Sequence, residues 1–246
     1  MGKLTGKVAL ITGGSEGIGF GTAKEFVQEG AFVFITGRRQ AELDKAVATL
    51  GENTAGIQAD AGKLDDLDRM YAEIKQTKGR LDVVFANAGI YEAVPYDKVT
   101  EDFYDKCVDI NVKGVYFTIQ KAIPLMDKDG SILLNGSFIG STGFPGMSVY
   151  AATKASVRSF ARSFTAELKG IGPRVNVISP GPIHTPGNAA TLGGNEQVRE
   201  FVTGMVPLGR IGEAVDIAKV AVFLASSESG FVAGVELFVD GGINAV

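Results

Sequence analysis

Cysteine is nearly absent from this chain. Cys107 stands alone among 246 residues, which excludes an internal disulfide and leaves no thiolate cluster for a metal. Histidine is as scarce: the single His184 has no ligand cluster around it and reads as an exposed loop residue. Positive charge is nowhere concentrated. No basic run exceeds two residues and the formal net charge is −4, which argues against a nucleic-acid surface. Long apolar runs are missing too. The longest uncharged stretch, 130–153, is broken by Asn135, Pro145 and several glycines and serines, so it is not a membrane span. The opening Met1-Gly-Lys-Leu-Thr-Gly-Lys leads into an apolar run too short for the core of a signal peptide. These absences predict a soluble protein of a reducing compartment, the cytoplasm, with no membrane or nucleic-acid partner.

What the chain has in quantity is glycine, 33 residues, as a fold with many tight strand–helix turns requires. Short apolar runs at 7–12, 31–36, 54–59, 81–86, 131–136, 174–179 and 235–239 alternate with helix-patterned segments near 17–29, 40–50, 65–78, 101–126, 149–169 and 213–226. The runs are rich in Val, Ile, Leu and Phe without polar alternation, which predicts strands buried on both faces in a parallel sheet. Strand and helix alternating in this way build a doubly wound α/β sandwich of about seven strands. A chain of this length buries roughly three quarters of its unfolded surface as one domain. No repeat, low-complexity tract or linker divides residues 1–246. The stretch 183–205 is different: it holds His184, Pro186, Gly193 and Gly194 with no clear period, and is expected to form a lid near the carboxyl ends of the strands.

The first strand, Lys7-Val-Ala-Leu-Ile-Thr12, runs directly into Gly13-Gly-Ser-Glu-Gly-Ile-Gly19, and a helical pattern follows. Strand, glycine loop and helix N-terminus in that order make an anion site from backbone N–H groups and the helix dipole. Gly13 serves a tight turn, Gly17 a close approach to a pyrophosphate, and Gly19 tight helix packing. The spacing departs from G-x-G-x-x-G in having three residues between the first two of these glycines.

Tyr150 and Lys154 lie four residues apart in a helical segment, on one face and within reach of each other. A phenol is a poor base at neutral pH; a neighbouring ammonium favours the phenolate and is expected to lower the Tyr150 pKa into a catalytic range. Ser137, at the end of an apolar run, offers a hydroxyl to hold a carbonyl oxygen.

These motifs, Thr12-Gly13-x-x-x-Gly17-Ile18-Gly19, Asn87-Ala88-Gly89, Asn111, Ser137, Tyr150-x-x-x-Lys154 and Pro180-Gly181, resemble the short-chain dehydrogenase/reductase family. The match is to its single-domain branch, spans nearly the whole chain, and includes Val239-Asp-Gly-Gly242 as the family's C-terminal strand segment. The resemblance implies a Rossmann-type fold, a nicotinamide cofactor, oxidoreduction of an alcohol–carbonyl pair, and often a homotetramer. It divides the chain into a cofactor half, about 1–125, and a catalytic and substrate half, about 126–246. It implies a catalytic tetrad of Asn111, Ser137, Tyr150 and Lys154. Tyr150 would give the carbonyl oxygen its proton, Ser137 would hold that oxygen, Lys154 would tune Tyr150 and bind the nicotinamide ribose, and Asn111 would support a water chain to Lys154. Each also has a plainer reading: Ser137 ends a strand, Asn111 caps a backbone group, Tyr150 packs at a helix start.

By the same resemblance, Thr12, Gly13, Ser15, Gly17, Ile18 and Gly19 would contact the cofactor phosphates, and Asp60 with the Ala61 backbone would bind the adenine. Asn87, Ala88 and Gly89 would pack near its ribose. Here Ala86 stands where the family has a first asparagine. Pro180, Gly181, Ile183 and Thr185 would lie over the nicotinamide carboxamide. Cofactor choice follows from charge. NAD enzymes place an acid at the end of the second strand to hold the ribose 2′-hydroxyl; this chain has Ile35-Thr-Gly-Arg-Arg39. Gly37 leaves room, and Arg38 and Arg39 suit a 2′-phosphate, so NADP(H) is expected over NAD(H). Glu16 opposes that unless an arginine neutralises it. Segments 91–96 and 139–147 and the lid, with Tyr91, Ile139, Phe144, Met147 and Leu192, are expected to wall an apolar site for a neutral ketone or secondary alcohol. Cys107 reads as packing. The apolar cover of 149–169 suits a subunit interface or an interior helix equally. A non-catalytic NADP(H)-binding sensor on the same fold is the rival reading, and an epimerase or dehydratase with an extra substrate domain would need a longer chain.

Overall fold

The computed structural model describes residues 2–188 and 196–246. Its centre is one parallel sheet: β1 (Val8–Ile11), β2 (Phe32–Gly37), β3 (Thr54–Gln58), β4 (Leu81–Ala86), β5 (Met126–Asn135), β6 (Arg174–Pro180) and β7 (Glu236–Val239), in the order β3-β2-β1-β4-β5-β6-β7. Every pairing is parallel. The strand order reverses between β1 and β4, and in an open α/β sheet the crevice at such a reversal, beyond the carboxyl ends of the strands, is where ligands bind.

The lack of polar alternation in the strands has its cause in two cores. Val8 and Leu10 of β1, Phe34, Val84, Ile132, Leu134 and Val177 face α3 (Leu64–Lys78), α5 (Val115–Ala122) and α6 (Ser148–Glu167). Their strand neighbours Ala9, Ile11, Val33, Ile35, Val83, Phe85 and Leu133 face α1 (Gly17–Gln28), α2 (Gln40–Leu50) and α8 (Ala214–Ala225). Helices on both faces bury both sides of the central strands, the doubly wound Rossmann-type arrangement.

Three stretches differ from the sequence expectation. The helix expected over 101–126 is α4 (Glu101–Val108), a π turn (Asp109–Gly114), α5, and a 3₁₀ turn (Ile123–Leu125). The π turn puts the buried Asn111 side chain against the Ile90 backbone and lets Gly114 pass the Ala61 carbonyl, where a Cβ would lie 2.5 Å from its oxygen. β5 begins at Met126, five residues before the apolar run, because Met126 pairs with Leu81 across a register shift; its exposed Asp127-Lys-Asp129 hides it from hydropathy. Within 183–205, a 3₁₀ turn (Pro186–Asn188) and α7 (Glu196–Gly204) stand where no period was expected. The expected lid residues Leu192, Gly193 and Gly194 lie outside the described residues.

Candidate active site

The loop after β1 and the turn after β4 are bolted together at the strand reversal. The Thr12 hydroxyl accepts from the N–H groups of Asn87 and Ala88, each at 3.0 Å. The Asn87 amide in return donates to the carbonyls of Thr12 (2.9 Å) and Gly13 (3.1 Å). Gly13 and Gly17 take φ of 65° and 58°, the left-handed region where glycine is at ease. A Cβ at Gly13 would meet Ala88 Cα at 3.0 Å; at Gly19 it would overlap the Gly13 carbonyl and lie 2.6 Å from Asn87 Nδ2. Helix α1 begins at Gly17 with no side chain capping it, so its first N–H groups remain open to a ligand. Thr185 approaches from above, its methyl 3.3 Å from where a Gly17 side chain would start. This cradle fits a phosphate-bearing cofactor: it is made of N–H groups, and a side chain on its glycines would fill it.

Around the cradle stand the remaining cofactor candidates. Ser15 abuts Gly37 at the end of β2, where a Cβ would come within 2.9 Å of its hydroxyl, and Ile18 packs into the core beneath. Arg39 donates to Glu16 at 2.9 Å, while the exposed Arg38 side chain makes no hydrogen bond or ion pair among the described residues. The Asp60 carboxylate accepts from the Gly62 N–H at 3.0 Å, beside the buried Ala61 at the end of β3. Pro180 ends β6, and Gly181 turns tightly against Asp240, where a Cβ would meet the Asp240 Cα at 2.6 Å. Ile183 bridges to Gly212, fixing the start of the expected lid.

Next to the cradle, the four tetrad candidates converge from three elements. Asn111 comes from the π turn and is fully buried; its carbonyl accepts from Ile90 N–H (2.8 Å), and its amide donates to the Ile90 carbonyl (2.9 Å) and Thr153 (3.2 Å). Ser137 follows β5, its hydroxyl accepting from the Ile139 N–H at 3.2 Å. Tyr150 and Lys154 come from the first turns of α6. Gly89 threads between Asn111 and Lys154: a Cβ there would lie 3.2 Å from Asn111 Oδ1 and 3.5 Å from Lys154 Nζ.

The electrostatics run against the sequence expectation. Lys154 does not bond the Tyr150 phenol. Its ammonium sits 5.6 Å from the centre of the ring and donates to the Asn135 carbonyl at 2.7 Å. Burial therefore dominates both groups: it pushes Tyr150 up to about 12, with Ser137 hydrogen bonding pulling the other way, and Lys154 down to about 8. In the protein alone the Tyr150 pKa is raised rather than lowered.

Several neighbours were not expected. Asn135 holds Lys154 through its carbonyl and Asn87 through its amide (3.0 Å), joining the cradle to the tetrad. Its Oδ1 is buried without a partner. Thr153 accepts from Asn111 and donates to the Tyr150 carbonyl at 2.7 Å. Both lie beside singled-out residues, but nothing in their spacing marks them as partners. Tyr91 stands edge-on to Tyr150, ring centres 5.3 Å apart, and Ile139, Phe144 and Met147 pack around the same phenol. His184 is exposed, its N–H on the Gly212 carbonyl, and Cys107 is buried in α4. Among the described residues, no group of His, Cys, Asp and Glu could hold a metal ion and no helix is long and apolar enough to cross a membrane.

Comparison with known proteins decides the family. Residues 13–244 match a family model described as enoyl-(acyl carrier protein) reductase. A solved structure from Brucella melitensis, described as a short-chain dehydrogenase/reductase of the glucose/ribitol dehydrogenase type, superposes with a TM-score of 0.94 at 32% identity, covering 99% of each chain. The chain belongs to the short-chain dehydrogenase/reductase family. The oxidoreductase asL5 of Sarocladium schorii is 48% identical over 98% of this chain and 97% of its own. The NADP-dependent (R)-specific alcohol dehydrogenase of Lentilactobacillus kefiri is 36% identical over 99% and 98%. As a short-chain dehydrogenase/reductase, this chain is an oxidoreductase of a family that binds NAD(P)(H).

Proposed function

We propose that the protein is an NADP(H)-dependent oxidoreductase that interconverts a neutral ketone or aldehyde and its alcohol, with Tyr150 as acid and base. The observation that carries this reading is the convergence of a phenol, a hydroxyl and a buried ammonium, from Tyr150, Ser137 and Lys154, beside a backbone cradle for a dinucleotide. A bound nicotinamide would supply hydride to the carbonyl carbon, or take it from the alcohol. Ser137 holds the carbonyl oxygen and Tyr150 gives it a proton. A phenol held at about 12 keeps that proton through neutral pH, so it is ready as the acid of a reduction. Once the proton leaves, the nearby Lys154 ammonium stabilises the phenolate until solvent restores it. Asn111 ties the Ile90 turn to Thr153 on α6 and so keeps Tyr150 and Lys154 in register with the cradle.

Cofactor choice rests on the division of labour between the two arginines. Arg39 is spent on Glu16, which removes the one acid that would repel a 2′-phosphate, and Arg38 is left available at the end of β2. The NADP dependence in the name of the Lentilactobacillus kefiri relative supports the same choice. A homotetramer fits the exposed Leu237 on the edge strand β7 and the exposed Phe231 and Val235 that lead into it. The test is consumption of NADPH and NADH, in parallel, over a panel of neutral ketones. Turnover with NADPH in excess of NADH is expected. Cofactor binding without turnover of any ketone would sink the reading in favour of a sensor.

A further inference from the structure

Among the described residues, three buried side-chain polar atoms lack a partner: Thr22 Oγ1, Thr54 Oγ1 and Asn135 Oδ1. Of the three residues, only Asn135 bonds both the cradle and the tetrad, through Asn87 and Lys154. Its amide cannot turn over to hide the gap. The two hydrogens of Asn87 Nδ2 go to the carbonyls of Thr12 and Gly13, so Asn87 Oδ1 faces Asn135 as an acceptor and needs a donor there. Asn135 Nδ2 is that donor, at 3.0 Å, and Oδ1 is left on the other side of the amide. The backbone is as firmly set. The Asn135 carbonyl holds Lys154 Nζ at 2.7 Å, and Gly136 gives its N–H to the Ile178 carbonyl at 2.7 Å. A Cβ on Gly136 would lie 2.3 Å from Ser179 Oγ, so the strand end has no room to roll.

A buried acceptor without a donor costs stability, and where one persists beside a site a bound group is its natural partner. Asn135 stands where the two halves of the site meet. A dinucleotide with its phosphates on the glycine loop and its nicotinamide beside Tyr150 has the nicotinamide riboside between them. That portion carries two kinds of donor, the ribose hydroxyls and the carboxamide N–H. Lys154 brings only donors to the same span. Asn135 Oδ1 brings an acceptor.

We infer that Asn135 is a cofactor-binding residue whose Oδ1 accepts a hydrogen bond from the nicotinamide riboside, from a ribose hydroxyl or from the carboxamide N–H. Asn135 lies outside the sequence motifs that carry the family resemblance. The assignment rests on the NADP(H) reading above and adds to it a residue that ties the cofactor to the carbonyl holding Lys154.

The experiment is calorimetric titration of wild type and Asn135→Leu with three probes. NADPH carries the whole riboside, 2′-phospho-ADP-ribose keeps the ribose without the nicotinamide, and 2′,5′-ADP lacks both. Leucine is close to asparagine in shape and has no acceptor. NADPH should bind the variant about tenfold more weakly, while 2′,5′-ADP binds both proteins alike. A loss shared by 2′-phospho-ADP-ribose assigns the ribose hydroxyl; a loss confined to NADPH assigns the carboxamide. The variant also leaves Asn87 Oδ1 without its donor, and damage to the cradle by that route would weaken all three probes together. Equal losses for the three, or no loss, would overturn the inference. A second measurement uses the wild type alone and stands whether or not the leucine protein folds. The carbon-13 resonance of the Asn135 side-chain carbonyl should move downfield with NADPH and stay in place with 2′,5′-ADP; any other pattern overturns the assignment. Neither measurement depends on turnover. NADPH bound with this signature and no ketone reduced would keep Asn135 as a cofactor residue and defeat the oxidoreductase reading. A wild type that binds none of the probes would defeat both.

Discussion

At the glycine loop the structure is closed by side chains that are missing. Gly13, Gly17 and Gly19 let three backbones meet, and Asn87 and Thr12 stitch the meeting point with good hydrogen bonds. At the head of α6 the structure is held together in spite of the side chains that are present. Tyr150 and Lys154 are kept where burial drives both toward their neutral forms, and Lys154 has a single carbonyl, that of Asn135, for its ammonium. Substitutions in the first region should therefore damage the fold and cofactor binding together. In the second, they should remove chemistry and leave the fold unharmed or improved.

The largest effect should come from Tyr150→Phe. Loss of the one proton donor lowers turnover by a factor of about a hundred or more, while NADPH affinity, measured by fluorescence titration, stays within about twofold because the cradle is untouched. Retained turnover would remove Tyr150 from the reaction. The wild-type pH profile checks the same residue. Reduction uses the protonated phenol and should be level through neutral pH; alcohol oxidation uses the phenolate and should climb with pH toward the raised pKa.

Gly19→Ala tests the other region. The added methyl overlaps the Gly13 carbonyl and crowds the Asn87 amide. Overpacking of this kind costs about 1–3 kcal/mol, read as a lower denaturation midpoint, and NADPH affinity should fall with it. A stable Gly19→Ala protein with normal NADPH binding would break the contrast between the two regions. Arg38→Ala is milder because it touches only the edge of the cradle. It should raise the KM for NADPH by about tenfold, about 1.4 kcal/mol, and leave NADH unchanged. Equal effects on both would show that Arg38 does not read the phosphate.

The two regions also differ in how far the chain alone reveals them. The cradle is legible because its geometry demands particular residues: only glycine serves at Gly13 and Gly17, and the apolar strand before it and helical pattern after it set the context. The central strands were legible for the same reason, since burial on both faces leaves an unbroken apolar run, whereas the edge strands β3 and β7 are only partly buried. The three exposed polar residues near the head of β5, Asp127 to Asp129, broke that signal; they lie between the pairings of Met126 and Ser131. Asn111 was legible as a position, but the π turn that aims it was not. That turn exists because Asn111 finds Ile90 and Gly114 finds Ala61, contacts distant in sequence. The Tyr150–Lys154 spacing located the pair correctly yet misjudged its electrostatics. Four residues on a helix give proximity; they do not reveal that Asn135 captures the ammonium or that burial outweighs it.

The sharpest test of the contrast is the smallest change in stability, that of Lys154→Met. The lysine is 5% exposed and makes no ion pair among the described residues. Its pKa in the fold, about 8, lies below the ordinary 10.5. Between those values the unfolded chain binds the proton that the folded chain has released, so stability rises with pH across that window. Below about pH 8 the folded protein carries the full disadvantage of a buried charge. Replacing it by methionine, similar in length and apolar, removes that disadvantage but leaves the Asn135 carbonyl without its donor. The balance at neutral pH should favour the variant by about 1 kcal/mol, or about 2–4 °C in Tm for a chain of this size. The gain should shrink as pH climbs from about 8 toward 10, where the wild-type lysine is neutral in the fold as well. Turnover should be lost at every pH. A variant less stable than wild type at neutral pH would mean that Lys154 holds the head of α6 together as the glycines hold the cradle.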